Sequence, residues 1–216
     1  MSLTNQAEAC AAEALVGKTT WTAQAVYVGL LSAAPVEGGG GTELSGNGYA
    51  RVATTGPDWN AYASDQLTNA NALAFPQATA NWTDSVAVGL FENPIGSSPD
   101  MLLAWDYLGA HDWQPFIGET DDTIRCPGHG FSADHRVAVT AEFGGTLPTG
   151  LAEGTLYYVL SANLATDTFT ISATSGGAAV NITAIGSGML RRVEPKTIQN
   201  NDTASFAAGD LAIKVR

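Results

Sequence analysis

Apolar positions in this chain fall in short runs cut off by glycine, proline and asparagine. Val26-Tyr-Val-Gly-Leu-Leu31 is one such run, and Pro35, which cannot donate to a ladder, closes it. The glycine run Gly38–Gly41 and the turn Gly46-Asn-Gly48 lead into a second strand, Tyr49–Thr54. Ala72–Phe75 is a short strand ended by Pro76. Ser85–Phe91 is apolar throughout and predicts a central strand, and Met101–Leu108 follows it. Near the C-terminus, Thr203–Phe206 and Leu211–Val215 flank the turn Ala208-Gly-Asp210. In the second of these, Leu211, Ile213 and Val215 alternate with Ala212 and Lys214, as a half-exposed edge does. Helical spacing occurs once, over residues 3–16. There Leu3, Ala7, Cys10, Ala14 and Leu15 share a face, Ser2 or Thr4 offers a cap, and Gly17 ends the helix. Many short strands at close spacing predict a mainly β fold. The expected core is an antiparallel β-sandwich or jelly-roll-like domain with one N-terminal helix.

Residues 114–194 carry turn signals and strands of their own: Thr123–Cys126, Arg136–Thr140, Leu156–Leu160, Thr168–Ser172 and Met189–Val193. They read as a small all-β domain inserted into a loop of the first. The expected organisation is therefore a discontinuous core domain, 1–113 plus 195–216, interrupted by 114–194.

Composition narrows the function. Apolar residues make up 45% of the chain and charged residues only 14%, which is a globular composition with an uncharged polar surface. The net charge of −12 repels a phosphate backbone, so no nucleic-acid partner is expected. Residues 1–113 hold two basic and eleven acidic side chains, and residues 114–194 hold four and eight. No apolar run approaches membrane-spanning length and residues 1–16 lack a basic leader, so neither a membrane nor a secretory route is expected. Two cysteines, Cys10 and Cys126, make no disulfide framework, and Cys10 reads as a small buried residue of the helix.

Candidate chemistry is sparse. Cys126, His129 and His135, with Asp134 or His111 as a fourth ligand, have a superficially zinc-like spacing, but the second cysteine of a finger is absent. His129, set among glycines, reads instead as a turn histidine with a satisfied backbone contact. Asp106, Asp112, Glu119, Asp121 and Asp122 could be imagined as paired carboxylates or calcium ligands; a solvated acidic loop explains them better. Gly38–Gly41 lacks the Gly-Lys-Ser/Thr ending of a phosphate loop, and no nucleophile elbow appears. No cofactor, metal or catalytic residue is implied. The glycine run reads as a mobile contact surface. Trp59 and Tyr62, placed in a loop, are the leading intersubunit candidates, with Leu3 and Gly38, Gly39, Gly40 and Gly41 as further interface residues.

Several of these runs together carry a resemblance. After the N-terminal helix come Val26-Tyr-Val-Gly-Leu-Leu31, Thr42-Glu43-Leu-Ser45, Gly48-Tyr-Ala-Arg51, Ala72-Leu-Ala-Phe-Pro76, Val88-Gly-Leu-Phe91 and Phe206-Ala-Ala-Gly-Asp-Leu-Ala-Ile213. Over most of 1–110 and 196–216 the chain resembles small tailed-phage virion proteins of the tail fibre type. Residues 114–194 resemble a β module that recurs in phage structural proteins. Its carriers are Pro127-Gly-His-Gly-Phe131, Leu147-Pro-Thr-Gly-Leu151, Tyr157-Tyr-Val159 and Asp167-Thr-Phe-Thr-Ile171. The resemblance implies a non-enzymatic virion structural protein, made in the host cytoplasm. No heptad or repeat supplies a fibre shaft, so the favoured use is decorating or cementing the phage head. The alternative is a tail fibre or tail tip that contacts a host surface glycan or protein receptor. Expected partners are other copies of the chain, with a trimer as first expectation, and phage capsid or tail proteins.

Overall fold

The structure, a computed structural model, describes residues 2–18, 20, 25–36, 40–94, 101–109, 111–142 and 145–214. Its opening elements are β1 (Ser2–Leu3), α1 (Asn5–Leu15), β2 (Val26–Ala33), β3 (Thr42–Glu43), β4 (Val52–Thr54), β5 (Gln66–Thr68), β6 (Leu73–Ala74), β7 (Ala87–Phe91) and β8 (Leu102–Tyr107). Then come β9 (Gln114–Gly118), β10 (Ile124–Arg125), β11 (Arg136–Thr140), β12 (Leu156–Val159), β13 (Thr168–Phe169), β14 (Ile171–Ser172) and β15 (Gly186–Val193). The last are β16 (Ser205–Phe206) and β17 (Ala212–Lys214). The fold is mainly β with one N-terminal helix, and every strand pairing is antiparallel. Among the described residues no helix is long and apolar enough to cross a membrane. The chain divides into two compact units: unit 1, residues 1–108 and 195–216, and unit 2, residues 109–194.

Unit 1 is built on a six-stranded sheet in the order β1-β8-β7-β2-β3, with β4 also pairing β2. β7 is central and buried at every position, as its unbroken apolar run predicts. Val28, Leu30, Val88, Leu90 and Ala104 point to one side of the sheet. They pack against Leu73, Phe75, Trp82, Ile198 and Leu211. Those residues lie on or beside two small ribbons, β16–β6 and β17–β5. The layer opposite the main sheet is therefore made of ribbons and loops, where a full second sheet was expected.

The helix is shorter than its spacing predicts, because Ser2 and Leu3 extend as β1 along β8 and Leu3 packs on the core. Thr4 is the cap: its Oγ1 accepts from the Ala7 amide at 3.3 Å and donates to the Leu102 carbonyl at 2.7 Å. Only Ala7 of α1 is fully buried. Cys10 is half-buried, contrary to expectation; the buried thiol is Cys126, and both cysteines are free.

Unit 2 is a seven-stranded sheet, β13-β10-β9-β15-β11-β12-β14. Its two outer strands are consecutive in sequence. Residues 168–172, which read as one strand, pair with β10 as far as Phe169 and with β12 from Ile171, and Thr170 turns the corner between them. The sheet thus nearly closes into a barrel, which removes its free edges. Phe116, Ile124, Val137, Val139, Val159, Phe169, Ile171 and Leu190 fill its interior.

The ladder of unit 1 shows where the chain leaves it. Ala87 pairs with Tyr107, and the Leu108 amide donates to the Val86 carbonyl at 2.9 Å. On the next rung Ser85 exchanges two hydrogen bonds with Lys196, at 2.9 and 2.8 Å. Residue 196 stands where the residue after 108 would stand in an uninterrupted strand. Within unit 2 the two ends also meet: His111 Nε2 lies 3.0 Å from Glu194 Oε1. A Cβ on Gly109 would lie 3.2 Å from the Glu194 side chain.

Candidate functional site

Four of the runs that carry the resemblance converge on one buried site in unit 1. Gly29 of β2 lies directly opposite Gly89 of β7. Neither can carry a side chain, because the Phe91 ring lies over both. A Cβ on Gly29 would sit 2.8 Å from Phe91 Cε2, and one on Gly89 would sit 2.9 Å from the same atom. The Arg51 guanidinium covers the ring in turn, 3.5 Å from its centroid. Its Nε donates to Glu43 Oε1 at 2.8 Å and its NH2 to Oε2 at 2.6 Å, the bidentate fork. A third nitrogen donates to the Asn93 carbonyl. The Tyr49 hydroxyl donates to Glu43 Oε1 at 2.8 Å and accepts from the Leu30 amide at 2.8 Å.

The Arg51 side chain is 2% exposed and that of Glu43 15%. Removing either partner would strand a charge in a low-dielectric setting. Burial pushes the Tyr49 phenol far above its ordinary range, with the Glu43 charge acting in the same direction. It stays a neutral donor at any working pH. Every polar group of the cluster is spent on another part of unit 1, so the cluster holds structure. It locks β2, β3, the approach to β4 and the loop after β7 into one register. The sequence carried a signal for it: Arg51 is one of only two basic residues in 1–108, and it sits in an otherwise apolar run.

The other residues singled out in the sequence separate. Trp59 is half-buried, packs on the core, and donates from Nε1 to Thr54 Oγ1 at 3.1 Å. It roots the loop and is not displayed at its surface. Tyr62 is 54% exposed, beside a two-residue turn at Ser64 and Asp65, both with positive φ. Gly40 is open, but a Cβ on Gly41 would press on the Ala33 carbonyl and Pro35 at 3.0 Å, so that end of the glycine run is packed. Gly38 and Gly39 lie outside the described residues.

The zinc-like set also separates. His129 is buried, its Nε2 donates to the Ala165 carbonyl at 2.8 Å, and its Nδ1 accepts from the Phe131 amide at 2.9 Å. Its lone pair is engaged by backbone, as a turn histidine's is. Cys126 Sγ meets Gln114 Oε1 at 3.3 Å, and burial raises the thiol pKa. Asp134 accepts from the Ser175 hydroxyl. The acids likewise hold backbone: Asp106 accepts from the Tyr107 amide, Asp121 from Thr123 and Asp122 from Ile182, while Glu119 pairs with Arg125 at 3.5 Å. Asp112 is exposed. No group of three metal-ligating side chains forms among the described residues.

No curated protein matches the chain. Residues 2–108, about half of the chain, match a family model described as "Podophage GP4 fiber I protein gp80". The matched span ends at the last residue of the first segment of unit 1. It includes every member of the Arg51 cluster. The head-decoration use favoured by the sequence gains no support from this match, which points to its alternative. Through this unit the chain belongs to a family of phage tail fibre proteins, non-enzymatic structural components of the virion.

Proposed function

We propose that unit 1 builds this protein into the phage tail fibre and that unit 2 is an inserted module which contacts the host surface. The observation that carries this reading is the ladder of unit 1, which passes from Leu108 to Lys196 as if residues 109–194 were absent. The family match, ending at residue 108, supports assigning fibre assembly to unit 1. Unit 2 has its own core and its own paired ends, as an accessory recognition module requires. Its ligand class is a host surface glycan or protein.

Assembly in unit 1 is through copies of the chain, with a trimer as first expectation, and through neighbouring tail proteins. Tyr62, exposed beside the Ser64–Asp65 turn, is the leading contact, with Leu3, Gly40 and Gly41 as further candidate positions and Trp59 holding the loop on the core. The finer sandwich description belongs to unit 1, where the ribbons stand in for a second sheet.

The test is a phage whose fibre gene joins Leu108 to Pro195 through a short glycine linker. Particles should incorporate the shortened protein at the tail and lose adsorption to the host. Unimpaired adsorption, or density for the protein on the head lattice in electron micrographs, would overturn the proposal. Tyr62→Ala should weaken oligomerisation while leaving the monomer folded. An unchanged oligomer size would remove Tyr62 from the interface.

A further inference from the structure

The two ends of unit 2 hold a titratable cluster that the fibre role leaves unused. His111 precedes β9, His135 and Arg136 open β11, and Arg192 and Glu194 lie at the end of β15. His111 Nε2 and an Arg192 guanidinium nitrogen approach the same oxygen, Glu194 Oε1, at 3.0 and 3.3 Å. His135 is half-buried and its Nδ1 accepts from the Ser132 amide at 3.0 Å, which places its proton on Nε2. The charges that act on it are those of Arg192, Glu194 and His111. Of the groups beside it, the Arg136 guanidinium lies over the Tyr158 ring at 5.1 Å, and the Asp134 carboxylate is engaged by Ser175.

We propose that His135 is an acid-sensitive latch, which closes the turn 132–135 near neutral pH and loosens when it protonates. Protonation drives the release, because a protonated Nδ1 turns from acceptor to donor and faces the Ser132 N–H.

Burial, followed by the Arg192 charge, lowers the His135 pKa below the ordinary 6.5. The unfolded chain therefore binds the proton more readily than the folded one. The stability that His135 contributes is complete above 6.5 and is lost as pH falls through the lower folded-state value.

The test uses the full-length protein, with NMR titration of its histidines and hydrogen exchange of the Ser132 amide between about pH 8 and pH 5. The His135 midpoint is expected below 6.5. After correction for intrinsic exchange, Ser132 should lose protection on the order of tenfold across that midpoint. His135→Asn, whose side-chain oxygen can accept the Ser132 N–H without ever charging, should keep that protection at both ends of the range. A midpoint at or above 6.5, or the same acid-induced loss in His135→Asn, overturns the proposal. If His135→Asn does not fold, Arg192→Gln serves instead. Its His135 midpoint must rise, and an unmoved midpoint overturns the latch equally.

Discussion

Unit 1 and unit 2 both have to satisfy the polar groups of short antiparallel strands, and they do so by different means. Unit 2 curls its sheet until residues 168–172 serve both outer edges, so its interior can be filled with apolar side chains. Its buried polar side chain at the turn, His129, is satisfied by backbone from two nearby segments. Unit 1 leaves its sheets open and holds them with a few long-range polar contacts. Arg51 and Glu43 fasten three parts of the main sheet. Asn69, fully buried, donates to the Asn71 and Ala207 carbonyls at 2.8 and 2.7 Å and accepts from the Leu211 amide at 2.9 Å. That one side chain draws the returning C-terminal segment onto the hairpin that holds β5. A closed sheet spreads its stability over many rungs, whereas an open one concentrates it in a few residues. Unit 1 should therefore be the more fragile to single substitutions at polar positions.

The largest expected effect follows directly. Arg51→Met leaves the Glu43 carboxylate without its partner and uncovers Phe91, and should destabilise unit 1 by about 3–5 kcal/mol. Adding Glu43→Leu should recover much of that loss, since an apolar pair has no stranded charge. Calorimetry combined with hydrogen exchange resolves which unit is affected. Protection in unit 2 should be unchanged. Equal loss in both units would mean that they unfold as one, and the contrast between them would collapse. Asn69→Ala comes next, at about 3 kcal/mol, because three backbone groups lose their partner in a site with no exposure. Here too the loss should be confined to unit 1, read at the amides of residues 66–71 and 207–214.

Much of this fold was legible in the sequence because hydrophobic runs and turn residues are local signals. Ser85–Phe91 reads as a central strand, and Arg136–Thr140 reads as the strand it forms. What escaped is what depends on distant partners. Residues 168–172 have one continuous strand pattern, and only the neighbours on either side reveal that they switch edges. β1 is two residues long and is defined by β8, a hundred residues away, so Leu3 read as part of the helix. β5 has no apolar run to announce it, because β17 supplies its pairing. The motifs around Gly29, Glu43, Arg51 and Gly89 were visible as separate runs. That they make one site could not be read from spacing, because it depends on two glycines sharing a rung.

Those glycines give a sharper and smaller test. Gly89→Ala would place a methyl 2.8 Å from Leu102 Cδ1 and 2.9 Å from Phe91 Cε2. Phe91 is held beneath Arg51 and cannot swing away freely, so the expected cost is about 1–3 kcal/mol in unit 1. In an Arg51→Met background the ring is released and the same substitution should cost less. The interaction appears as non-additivity in a double-mutant cycle. Strict additivity would separate the glycine pair from the ionic cluster.

The smallest effect is expected at the N-terminus. Thr4 caps α1 and also hydrogen-bonds the Leu102 carbonyl, so its single hydroxyl fastens an exposed helix to β8 of the open sheet. An eleven-residue helix with one fully buried side chain has little else to keep it folded. Thr4→Ala should cost about 1 kcal/mol. The loss should appear as faster exchange at the amides of Ala7 and Glu8, while the interior of the sheet keeps its protection. Thr4→Ser keeps the hydroxyl and should restore most of that protection. If Thr4→Ala instead lowers protection throughout β7 and β8, the helix is part of what holds the open sheet together. Unit 1 would then have to be counted among the folds whose stability is distributed, as unit 2's is.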